Sequence, residues 1–262
     1  MKQTILTTKQ SELLENLIAT YGHIVTSEQI YSKASVSWDL KQAKNVITKL
    51  TKDGWLIRLK RGLYAISDLS NRGFLSLSPY VIANLLVKNS YVSFESALNY
   101  RGIFDQLTSK VIAITTDSLK NKVIELNSME YNFVSIQEKW FFGWEEVAID
   151  NQSVRIATAE KALIDMIQFH KSKYSVDLVI EKLRLNRDSL NMERLQEYLE
   201  KMSITTIKIF GLIFDLLDID SNNIYSFLKN KRGADWMFTG DKTFNAKWRL
   251  YYDEYFDKYQ KS

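Results

Sequence analysis

The chain has 262 residues, 45% hydrophobic and 25% charged, and no cysteine, which excludes low complexity, a disulfide framework and a cysteine-based zinc site. Its net charge of +4 lies wholly in residues 1–70, where ten Lys/Arg face six Asp/Glu, leaving 25 of each sign in the rest. No apolar run approaches the roughly 18 residues of a membrane span, two histidines are too few for a histidine-rich metal centre, and the N-terminus lacks the hydrophobic stretch of a signal peptide, so a cytoplasmic protein is expected.

In chain order, Thr7-x-x-Gln10 reads as a capping box, followed by Leu13, Leu14, Leu17 and Ile18 at helical spacing and a stop at Gly22. Thr26-x-x-Gln29 opens a short second helix through Lys33, with Ile30 and Ala34 inward. A third helix is expected from Trp38 to Asp53, N-capped by Ser37 and stopped by Gly54. Its apolar side is Leu40, Ala43, Ile47 and Leu50. Lys41, Lys44, Asn45, Thr48 and Lys52 share the opposite side. Trp55–Leu59 and Leu63–Ile66 read as two strands around the Lys60-Arg61-Gly62 turn, where glycine supplies a positive φ.

Three short helices followed by a hairpin with a cationic tip form the pattern of a winged helix-turn-helix. An α-helix fits the DNA major groove, and its outward polar face reaches base edges. Asn45 is suited to adenine, Lys41 or Lys44 to guanine, and Ser37 and Thr48 to phosphate or base contact. Arg58, Lys60 and Arg61 on the hairpin would neutralise phosphates and release counterions. With Trp38 and Lys52, these make up the candidate double-stranded DNA interface. A solvated cationic face, or a protein-docking module, is the competing reading of the same residues.

The Ser-, Asn- and Gly-rich segment 67–78 marks a boundary between units 1–70 and 77–262. After it, Ser78-Pro79 starts a helix to Val87, and 91–102 suggests another, capped by Ser93. Val111–Thr115, Lys122–Leu126 and Tyr131–Gln137 read as strands. Trp144–Ile149 and Ser153–Ala157 form a hairpin around Asp150-Asn151-Gln152. Thr158 caps a helix, Ala159–Phe169, on which Lys161 and Asp165 are expected to make a surface pair at i, i+4. Helices follow at 176–184, 190–201, 205–217 and 222–230. A last amphipathic helix carries Phe244, Trp248, Tyr251, Tyr252, Tyr255 and Tyr259. The larger unit is thus expected to be α+β, with a small sheet and a helical C-terminal tail.

Motifs for chemistry are missing. Gly240-Asp241-Lys242-Thr243 lacks the glycine spacing of a phosphate-binding loop, and no dinucleotide, zincin or nucleophile-elbow string occurs. No cofactor, metal or catalytic residue is assigned, and the chain is expected not to be an enzyme. His170 is expected to interact with a helix C-terminus, and His23 to sit in a turn. The dense string Trp140-Phe141-Phe142-Gly143-Trp144 is read as the end of a core strand or as a partner patch, and the C-terminal aromatic stripe is open in the same way.

Three strings, Arg61-Gly62-Leu63-Tyr64-Ala65, Tyr91 to Leu98 (YVSFESAL) and Arg155 to Asp165 (RIATAEKALID), resemble, in their order, the AbiEi family of type IV antitoxins. The resemblance implies an N-terminal winged helix that binds promoter repeats and represses its own operon. It also implies a C-terminal domain that opposes a nucleotidyltransferase-like toxin in phage defence. A winged-helix regulator without a toxin partner is the alternative.

Overall fold

A computed structural model describes residues 6–68, 73–75, 77–106, 108–119, 122–228 and 233–260. Part of the expected boundary segment 67–78, and the end of the helix expected at 222–230, therefore lie outside the described residues. The chain divides into two compact units, residues 1–88 with 125–129, and 89–124 with 130–262.

The first unit runs α1 (Thr8–Tyr21), β1 (Ile24–Thr26), α2 (Ser27–Ala34), α3 (Leu40–Lys52), β2 (Leu56–Lys60), β3 (Leu63–Ile66) and α4 (Pro79–Leu86). Three of its helices open with capping boxes: Thr7 with Gln10, Thr26 with Gln29, and Asp39 with Gln42. Each box satisfies two backbone N–H groups that a helix start leaves without a partner. Asp39, not the expected Ser37, caps α3, because only Asp39 has a glutamine three residues on. The strands form an antiparallel sheet in the order β1-β3-β2. β1 was not anticipated, being three residues long and held only by pairing with distant β3.

Leu14, Leu17, Val25, Ile30, Ala34, Ala43, Ile47 and Leu50 close over the core of this unit. Burying one leucine of this kind contributes about 1.5–3 kcal/mol relative to leaving it in water. Leu40, expected inside, is 67% exposed. It stands in the first turn of α3, a full turn beyond Ala43 and Ile47. The helix α4, assigned by its sequence position to the larger unit, packs against β2 of the first.

After the first unit's segment 1–88 the elements are β4 (Ser90–Val92), α5 (Phe94–Tyr100), β5 (Lys110–Thr115), β6 (Val123–Leu126), β7 (Met129–Ser135), β8 (Trp144–Ile149), β9 (Gln152–Ala157), α6 (Ala159–Phe169), α7 (Lys173–Leu185), α8 (Met192–Glu200), α9 (Ile204–Leu216), α10 (Asn222–Ser226), β10 (Asp235–Trp236), β11 (Thr243–Asn245) and β12 (Leu250–Tyr252), all in the second unit except the end of β6 and the first residue of β7, which fall in 125–129. The main sheet is six-stranded rather than small, in the order β6-β7-β5-β4-β9-β8. β4 runs parallel to β9 and antiparallel to β5, while β5 runs parallel to β7. β4 takes the first residues of the segment expected to be helical. Asp150 and Asn151, both at positive φ, turn β8 into β9.

The expected C-terminal aromatic helix does not form. Residues 243–252 are instead two antiparallel strands, completed by β10 in the order β10-β12-β11, and Glu254–Tyr259 is a 3₁₀ turn. The helix-like spacing was coincidental: Phe244 and Trp236 lie opposite Tyr251 on neighbouring strands. Trp248 leaves this row, buries its ring fully and donates from its indole nitrogen to Asp215 Oδ2 at 2.6 Å. That ring lies flat on Gly211 of α9, where a Cβ would come within 2.3 Å of it. Gly211→Ala is therefore expected to destabilise the protein by about 1–3 kcal/mol, read as a lower denaturation midpoint with an unchanged denaturant slope.

Candidate functional site

A helix repeats every 3.6 residues, so burial of Ala43, Ile47 and Leu50 turns the opposite side of α3 to solvent. Lys41, Lys44, Asn45, Thr48 and Lys52 are all exposed there. Lys41, Asn45, Thr48 and Lys52, at i, i+4, i+7 and i+11, form one stripe. Lys49, four residues beyond Asn45, is exposed as well and was not among the residues expected on this face, although the same spacing includes it. The Thr48 hydroxyl donates to the Lys44 carbonyl at 2.9 Å, leaving its lone pairs available. Ser37 is exposed in the turn before α3, and its N–H donates to Ala34 O at 3.0 Å. Trp38 is half-buried against the core, so its ring serves packing.

On the β2–β3 hairpin, Arg58 is exposed opposite Tyr64, and Arg61 is exposed in the turn. Gly62 holds φ +78°, and its carbonyl accepts from Ser27 N–H at 2.9 Å, anchoring the hairpin to the start of α2. Lys60 behaves differently: its Nζ donates to the Leu86 carbonyl of α4 at 3.4 Å. Burial there, reinforced by Lys88, pulls the Lys60 ammonium below its ordinary value of 10.5. The α3 stripe, Arg58 and Arg61 are thus exposed groups of one unit, and Lys60, exposed as well, reaches the Leu86 carbonyl of α4 with its ammonium.

The second unit holds a polar cluster where a surface pair was expected. Lys161 and Asp165 are fully buried and form an ion pair. Ser93 Oγ donates to Asp165 Oδ2 at 2.7 Å, and Tyr91 Oη donates to the same atom at 3.1 Å. Lys161 Nζ also donates to Tyr91 Oη at 3.0 Å and lies 5.0 Å from the Phe142 ring centre. Desolvation pushes the Asp165 carboxyl up, opposed by Lys161, Ser93 and Tyr91. Desolvation, together with Asp165, holds the Tyr91 phenol well above 10.0. Gly143 is needed beside them, because a Cβ there would come within 2.9 Å of the Lys161 side chain.

The aromatic string 140–144 packs on its own unit: Trp140 on Phe169, Phe141 on Tyr91, and Phe142 on Tyr198. The string runs from Trp140, the last residue of a 3₁₀ turn (Glu138–Trp140), through irregular Phe141–Gly143 to Trp144, the first residue of β8, so it leads into the start of a strand. Glu160, one residue before Lys161, accepts from Arg194 Nε at 3.0 Å and from Asn191 N–H at 2.8 Å. His170 closes α6 as its C-cap, N–H to Met166 O, and its ring lies 5.3 Å from that of Phe94. His23 sits in the turn before β1, where its carbonyl accepts from Ile66 N–H. Among the described residues no group of three or more His, Asp or Glu is placed to hold a metal ion, and no helix is long and apolar enough to cross a membrane.

Residues 12–67 match the family model described as transcriptional regulator, AbiEi antitoxin. The AbiEi match runs from within α1 to the end of β3 and contains every cation of the α3 stripe and the hairpin. No curated protein matches the chain. The crystal structure of the RV2827C protein from Mycobacterium tuberculosis is similar over 95% of this chain and 92% of that one, with a TM-score of 0.68 and 12% identity. That likeness is one of fold, a mixed α+β architecture extending well beyond residues 12–67.

Two predictions follow from the second unit. Asp165→Leu alone strands a buried ammonium and is expected to cost about 3–5 kcal/mol. Lys161→Met combined with Asp165→Leu should cost less than the single change, as a double-mutant cycle in urea would show. For Glu160, burial favours the neutral form, but Arg194 and the Asn191 N–H outweigh it and hold the carboxyl below 4.5. Its contribution to stability is then complete above pH 4.5 and lost as pH falls through the lower, folded value. Unfolding measured between about pH 6 and pH 3 should show a steeper acid loss in the unaltered protein than in Glu160→Gln.

Proposed function

We propose that the first unit is a winged helix-turn-helix, its β2–β3 hairpin the wing, and that it binds double-stranded DNA at repeats in the protein's own promoter. The reading is carried by the exposed stripe Lys41, Asn45, Thr48 and Lys52 on α3, within an α1-β1-α2-α3-β2-β3 order and a β1-β3-β2 sheet. In this reading α3 enters the major groove and Asn45 reads a base edge. Lys41, Lys44 and Lys52 contact bases or phosphates, while Arg58 and Arg61 neutralise the backbone beside the groove. Ser37 and Thr48 supply short hydroxyl contacts. Lys60 reaches phosphate by leaving the Leu86 carbonyl, and half-buried Trp38 supports the entry to α3 rather than touching DNA. Residues 1–70 carry this activity, and the remainder from 77 serves as the antitoxin domain.

The family description, transcriptional regulator and antitoxin, supports a regulatory and antitoxin role; the fuller reading we propose is a cytoplasmic autorepressor that opposes a nucleotidyltransferase-like toxin in phage defence and has no catalysis of its own. Confinement of the family match to residues 12–67 favours a second reading, a regulator with no toxin partner. Co-expression of the full chain with the product of the neighbouring gene separates the two: rescue of growth supports the antitoxin role, and its failure supports the plain regulator.

The DNA reading is tested by mobility shift on the upstream region. Lys41, Lys44, Arg58 and Arg61 changed together to Ala should abolish the shift. Singly, each phosphate-contacting cation should reduce the slope of log affinity against log salt by about 0.9. Asn45→Ala should relax sequence choice by about 1–3 kcal/mol. Undiminished binding by the fourfold variant would overturn the reading.

A further inference from the structure

The second unit contains a cleft of about 530 Å³, a volume within the range that holds small ligands. Its walls come from the first turn of α5, the segment leading to β5, β5 itself, and residues 169–175 between α6 and α7. Phe104, Phe169, His170 and Tyr174 give it an aromatic lining. Into this lining α5 brings Glu95, whose Oε2 is shielded from solvent and has no hydrogen-bond partner. A carboxylate oxygen desolvated without a donor is costly, and native structures supply one.

The cations of the cleft do not supply it. Lys110 Nζ is engaged with Glu130 at 3.5 Å, and Lys171 Nζ donates to the Trp236 carbonyl at 3.4 Å. The Tyr174 phenol is raised above 10.0, first by burial and then by the negative charge of Glu95 and Glu181. Aromatic faces beside a carboxylate are the chemistry that recognises an organic cation, through charge-assisted hydrogen bonds and cation–π attraction.

We propose that this cleft binds a small organic cation, an amidinium, guanidinium or primary ammonium on an aromatic or apolar body, with its charged end on Glu95 and its body among Phe104, Phe169 and Tyr174. The site is independent of the DNA-binding reading. Nothing in the basic face of α3 depends on it.

Benzamidine is a suitable probe, with benzoate as the anion of like size and benzyl alcohol as the neutral one. Titrated into the full-length protein and followed by calorimetry and thermal unfolding, benzamidine should bind saturably and raise the Tm, and the two controls should not. Glu95→Gln keeps the shape of the side chain and should weaken benzamidine by about tenfold or more, the worth of a charge-assisted hydrogen bond. Tyr174 is 53% exposed, so Tyr174→Ala should fold normally and also weaken binding. It serves as the deciding variant if Glu95→Gln does not fold. Equal binding of benzoate, undiminished binding by both variants, or no binding of benzamidine up to about 10 mM would overturn the proposal.

Discussion

An ammonium and a carboxylate removed from water must satisfy each other completely, and Lys161 and Asp165 do so only because other elements come to them. Both sit on α6, and their remaining hydrogen bonds are supplied by Tyr91 in the middle of β4 and by Ser93 at the entrance to α5. The pair therefore fixes α6 against β4 and α5, and through β4 against both β5 and β9. The walls of the aromatic cleft follow from it. Phe169 and His170 are the last residues of the same helix, and Glu95 lies two residues beyond Ser93.

Lysine serves two opposite ends in this protein. Lys161 and Lys208 are fully buried, each with an aspartate partner, Lys208 adding the Gly233 carbonyl at 2.6 Å. These charges are spent inside the fold. Lys41, Lys44, Lys49 and Lys52 are exposed and keep their water. The net charge of the first unit therefore understates its contrast with the second, where the cations are largely matched with acids.

Much of the first unit was legible because its signals are local. The Thr7 and Thr26 boxes, Gly62 at the turn and the outward stripe of α3 each depend on residues a few positions apart. Asp39 was passed over because Ser37 also caps well, and only the glutamine at the third position distinguishes them. The depth of Lys161 and Asp165 could not be read from i, i+4 spacing, which is the same for a surface pair. The usable signal was the rest of α6: every other position from Ala162 to Ile167 is apolar, and a helix apolar all round is a buried one. The strands β1 and β4 have only three residues each: β1 owes its existence to a partner strand far along the chain, Ile24 lying opposite Ala65, and β4 to partners on both sides at once. The aromatic tail misled because a cross-strand row and a helical stripe can share spacings in sequence. The three strings that carry the family resemblance fall into place physically: one forms the hairpin, and the other two meet in the buried cluster.

The three capping boxes also have a kinetic side. Each nucleates a helix from contacts that span only four residues, so α1, α2 and α3 can begin to form without closing long loops. The main sheet of the second unit is the reverse. β4 must find β9 across more than 50 residues, and the parallel pairs require crossovers before any of their hydrogen bonds form. Chain emerging from a ribosome would present the helical head first, with its fold largely encoded in place, while the sheet waits for residues 152–165 to be made. Pulse-labelled hydrogen exchange would record this as amide protection across 8–52 ahead of 110–157.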